Sequence, residues 1–118
     1  MSLNAYQRAR TITENPRATE RRLMVEITGE LIAAREAGLT GIALAPMLFR
    51  NREVWNAFSD ACASRGNGLP DALRASIISL ALWVERHTSA VMSGRDSIDS
   101  LIAVNREIID GLRMDGPR

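Results

Sequence analysis

The stretch from Leu69 to His87, Leu-Pro-Asp-Ala-Leu-Arg-Ala-Ser-Ile-Ile-Ser-Leu-Ala-Leu-Trp-Val-Glu-Arg-His, constrains the fold more than any other part of the chain. Leu73, Ile77, Leu80, Val84 and His87 recur at spacings of four and three, the repeat that gathers side chains on one face of an α-helix. Ile78, Leu82 and Trp83 carry apolar surface beyond that stripe. A helix apolar over so much of its girth needs neighbours on more than one side, so the rest of the chain is expected to wrap it with other helices. Pro70 fits the first turn, where its missing N–H costs nothing, and Asp71 suits the positive helix start. The helix is expected to run to Met92, where Ser93-Gly94 stops it.

The other segments read the same way. Asn15-Pro16 is a helix start, and Leu23, Met24, Ile27, Leu31 and Ala34 mark one face up to Ala37, with Gly38 as the stop. Gly29 inside this segment costs up to about 1 kcal/mol against alanine and is expected to admit a close helix. Leu44, Leu48, Asn51, Trp55, Phe58 and Cys62 form the next face, which ends before the Gly66-Asn67-Gly68 loop. Pro46 fits its first turn if the helix begins at Ala45, and kinks it if the helix begins near Thr40. Asp96 is placed to cap a last helix, with Asp99 three residues on. That helix shows Ile98, Leu101, Ile102, Asn105, Ile108, Ile109 and Leu112 on its apolar side. No alternating strand pattern and no internal repeat is present. The fold class is therefore all-α: a single-domain bundle of four main helices over residues 15–113, with a short helix within residues 1–14 and a frayed tail at 114–118.

Charge narrows the function. All 15 basic residues are arginine, they are scattered, and 14 acidic residues nearly cancel them. Nucleic acid is thus not expected as a direct partner, because phosphate-led binding wants many basic residues on one face. No run of about 18 apolar residues marks a membrane span. Met1 to Ile12 lacks the apolar run of a signal peptide, so the protein is expected in the cytoplasm. Cys62, the lone cysteine, sits in a helical core pattern and reads as a small buried residue. His87, the lone histidine, falls on a core-facing register, and one histidine makes no multi-histidine metal site. Catalytic residues, metal ligands and cofactors are accordingly expected to be none. Asn51 and Asn105 are polar residues on apolar faces. The plain reading is that they pair with backbone or with each other inside the bundle; the other is that they line a groove. Trp55 and Trp83 read as core, with an interface role open to either.

Taken together, several of these residues resemble the FlaF family of flagellar regulators from alphaproteobacteria. The resemblance rests on Asn15-Pro16 with its Glu/Arg-rich helix and on Asn51-Arg52-x-x-Trp55. It rests further on Leu69-Pro70-x-x-Leu73-Arg74-x-x-Ile77-Ile78-Ser79-Leu80-x-Leu82-Trp83-Val84, and on Leu101-Ile102-x-Val104-Asn105-Arg106-x-Ile108-x-x-Gly111-Leu112. It extends from Tyr6 to Leu112, and the segment from Thr40 to Met47, with Pro46, departs most from the family pattern. The resemblance implies a role in promoting flagellin synthesis and export, opposite a second regulator, FlbT, that restrains flagellin mRNA translation. It implies no catalytic residues.

A cytoplasmic chaperone holding an amphipathic terminal helix of flagellin fits both lines of reasoning, since a helical groove is a common way to bind such a helix. The alternatives are an RNA-directed regulator of flagellin mRNA and a structural dimer. The expected groove lies along the last helix at Ile102, Asn105 and Ile109, with Leu3 and Tyr6 as its cover.

Overall fold

A computed structural model describes residues 16–64 and 66–114. Four α-helices make up the described chain: α1 (Pro16–Glu36), α2 (Ala45–Ala63), α3 (Asp71–Met92) and α4 (Asp99–Met114), with a 3₁₀ turn at Gly41–Leu44 leading into α2. The short helix expected within residues 1–14 and the tail beyond 114 lie outside the described residues.

The helix ends follow from local chemistry. At Gly38 the backbone turns left-handed (φ 71°), letting its N–H reach Arg35 O at 3.0 Å and the Leu39 N–H reach Ala34 O at 3.1 Å. This pair of bonds satisfies carbonyls that the last turn of α1 leaves open. Gly94 (φ 77°) closes α3 in the same way, through bonds to Val91 and Ala90. Pro46 lies in the first turn of α2, which starts at Ala45, so no kink is needed. Pro70 is the residue before α3 and not its first residue; its carbonyl accepts the first helical bond, from Arg74 N–H at 3.0 Å. Asp96 does not cap α4. Its carboxylate turns to His87, and the Ser97 hydroxyl accepts from the Asp99 N–H at 3.1 Å instead.

The arrangement of the helices differs from the expected one. The central element is α2, which packs against α1 on one side and α3 on the other, while α4 packs mainly on α1. Leu48, Asn51, Trp55, Phe58 and Cys62 of α2 are all buried, and Trp55 is the largest fully buried side chain. By contrast α3 buries one face only, through Ile77, Ala81, Val84, Thr88 and Val91. Leu73 and Leu80 are half-buried, and Leu82 keeps 63% of its surface exposed. The buried stripe of α3 runs through Ala81 and Thr88, and the bulkier Leu80 and Leu82 stand to the side. Gly29 admits no helix: it is exposed, and a Cβ there would have no neighbour within 4 Å. The hydrophobic core joins all four helices in one cluster that includes Met24, Ile27 and Leu31 of α1, Leu101, Ile102, Ile108 and Leu112 of α4 and the buried residues of α2 and α3.

Candidate functional site

The expected groove along α4 is closed in this structure. Ile102 is 1% exposed and Asn105 fully buried, because α4 lays its apolar side on α1 and the core. Ile109 is half-buried and packs against the core, and Leu3 and Tyr6 lie outside the described residues.

Asn105 has a structural task. The indole Nε1–H of Trp55 donates to Asn105 Oδ1 at 2.8 Å, and Asn105 Nδ2 donates to Asn51 Oδ1 at 2.8 Å. An indole nitrogen only donates, so Trp55 dictates which way the Asn105 amide points, and Asn105 in turn orients Asn51. The two asparagines therefore pair with each other across α2 and α4. Asn51 Nδ2 is buried without a partner.

His87 is likewise engaged. Its Nδ1 lies 3.3 Å from Asp96 and its Nε2 3.1 Å from the carbonyl of Ser97, and its ring stacks on Trp83 at 4.5 Å. These contacts fasten the α3–α4 connection to the side of α3. Cys62 is buried in α2. Among the described residues no cluster of three or more His, Cys, Asp or Glu side chains could hold a metal ion. None of the described helices is long and apolar enough to cross a membrane.

An open apolar groove lies elsewhere, between α1 and α2. It is lined by Glu20 and Leu23 of α1 and by Glu53, Val54, Ala57, Phe58 and Ala61 of α2, and holds about 290 Å³. Beside it Arg50 reaches Glu30 at 3.0 Å and Glu26 at 3.9 Å, and Arg22 reaches Glu26 at 3.0 Å. The two pairs of Arg50 register the helices antiparallel, because the start of α2 meets the later turns of α1. Farther along, Ala57 and Ala61 end at Cβ one helical turn apart, and the missing side-chain volume opens the groove between Leu23 and Phe58. Its size is at the low end of small-molecule sites, and few polar groups converge on it. It suits two or three apolar side chains better than a cofactor.

The residue spacing hid this site. Leu23 and Phe58 belong to the stripes that mark the core faces of α1 and α2, and Val54, Ala57 and Ala61 lie just off the α2 stripe. Only the departure of Ala57 and Ala61 from bulk hinted at a gap, and alanine in a helix is too common to signal one.

Residues 2–112 of the chain, which include Asn51, Trp55 and Asn105 and every residue that lines the groove, match the family of flagellar protein FlaF. The chain belongs to the FlaF family. No match was found among curated proteins or among solved structures. Within this FlaF protein the matched residues divide by task. Asn51, Trp55 and Asn105 build the interior, and Leu69-Pro70 begins α3 with the Leu69 side chain buried. The segment from Thr40 to Met47 forms the 3₁₀ turn and the first turn of α2.

Proposed function

We propose that the protein promotes flagellin synthesis and export by binding an amphipathic terminal helix of flagellin, as a cytoplasmic chaperone, in functional opposition to FlbT. The family supports a flagellar role, and the single observation that favours a helix-binding mechanism is the apolar groove between α1 and α2. Helix-in-groove recognition needs an apolar channel with a rigid floor, and two packed helices provide one. An RNA-directed mechanism is less favoured, because the arginines near the groove are drawn into ion pairs with Glu26, Glu30 and Glu85.

Affinity for purified flagellin and for the flagellin mRNA leader, each measured at two salt concentrations, tests the reading. Flagellin binding resting on apolar burial should weaken less than about tenfold between roughly 0.05 and 0.2 M salt. Binding through 6–10 phosphate contacts would fall by about 10³–10⁵ over that range. RNA binding with that salt dependence and no flagellin binding would reject the chaperone in favour of the RNA regulator.

A further inference from the structure

We propose that the groove between α1 and α2 takes an amphipathic helix of the partner whose apolar ridge is flanked by arginine or lysine side chains. The inference rests on the chaperone reading for the kind of occupant, and goes beyond it in stating where the helix lies and what charge it carries.

The floor of the groove sets the shape of the occupant. Val54, Ala57 and Ala61 run along α2 beside Leu23 and Phe58. From Glu53 to Ala61 the helix advances about 12 Å at 1.5 Å per residue, the length of roughly two turns of a docked helix. The volume of about 290 Å³ takes two or three apolar side chains, such as residues i, i+4 and i+7 of one ridge. The alanines at the floor allow close approach of that ridge.

The rim sets its charge. Glu53 of α2 places an exposed carboxylate on the α2 wall. Asp60, exposed and seven residues beyond Glu53, lies on the same side of α2. None of the described lining residues is basic. Three arginines of these helices are already paired, Arg22 with Glu26, Arg50 with Glu30, and Arg52 with Glu85 at 3.7 Å. An apolar channel with Glu53 and Asp60 along its α2 edge repels an acidic segment and accepts a basic-flanked one. Exposed pairs of this kind change affinity only a few-fold each and act mainly on association rate and salt dependence.

The test titrates the full-length protein with three labelled synthetic helical peptides that share one apolar ridge and carry arginine, glutamine or glutamate at its flanks. The arginine peptide should bind tightest and the glutamate peptide weakest, about tenfold or more apart, with the gap closing as salt rises toward about 0.5 M. Ala57→Leu, at an exposed position that fills the groove, should abolish binding of all three while leaving thermal unfolding unchanged. Glu53→Arg should shift the preference toward the glutamate peptide, and it carries the test alone if Ala57→Leu unfolds the chain. Equal binding of the three peptides, or indifference to both substitutions, overturns the proposal. So does a homodimer that Ala57→Leu dissociates, which would make a second copy the occupant. A more than tenfold rise in affinity when Leu3 and Tyr6 are both replaced by serine overturns it too, since the chain's own N-terminus would then hold the groove. Purified flagellin run against the same variants separates the two readings. Flagellin that binds wild type and both variants alike leaves the chaperone standing and removes the groove. Arginine-peptide binding that needs Ala57 and Glu53, without any flagellin binding, keeps the groove and removes the chaperone.

Discussion

Asn105 shows how one residue ties sequence to fold. It accepts from Trp55 and donates to Asn51 at a point where water has no access. Its replacement by alanine would strand the indole N–H and the Asn51 oxygen together, and each buried unmade bond costs about 1–3 kcal/mol. Asn105→Ala should therefore lower stability by about 2–5 kcal/mol in urea unfolding; a loss under about half a kcal/mol would mean that the network is not formed in solution. His87 holds a different kind of junction. Replacing it with glutamine removes the stack on Trp83 and at least one of the contacts to Asp96 and Ser97. The expected cost is about 1 kcal/mol, with faster amide exchange confined to the α3–α4 connection. Both asparagines were legible in the sequence as polar residues on apolar stripes, but the donor that orders them, Trp55, was legible only as bulk.

At the scale of the element, α3 separates hydrophobicity from burial. Ile77 is fully buried and Leu82 is 63% exposed, although both are large aliphatic residues of the same helix. Ile77→Ala should cost about 2–5 kcal/mol, as core truncations do, whereas Leu82→Ala should fall within about 0.5 kcal/mol of wild type. Leu80, half-buried, should lie between them. Equal costs at the two positions would restore α3 to the centre of the bundle. The helical period of α3 was plain from residue spacing, yet the face that docks was not. A wide apolar arc admits several orientations, and the one adopted buries Ala81 and Thr88 and leaves Leu82 outside. In α4 the apolar arc is narrower and better separated from the charged side, so its buried face (Ile98, Leu101, Ile102, Asn105, Ile108 and Leu112) is the one the spacing marks.

For the whole molecule, a partner that binds only the folded chain must stabilise it by mass action. If flagellin docks as proposed, a hundredfold excess over Kd should add about 2.7 kcal/mol to the unfolding free energy, visible as a raised Tm that Ala57→Leu abolishes. An unchanged Tm at saturating flagellin would contradict the complex. The all-helical architecture, the family and the helix limits to within a residue or two, apart from the start of α2 that Pro46 left open between Thr40 and Ala45, were determined by the sequence alone. Turn residues such as Gly38 and Gly94, and apolar spacing along each helix, are local properties that each segment carries with it. The central place of α2, the closure of the α4 face over Ile102 and Asn105, and the groove at Ala57 and Ala61 were decided only by the tertiary structure. Each depends on which helices meet and at what distance, and on side-chain volume that is missing between two helices, and a gap between elements has no residue of its own to announce it.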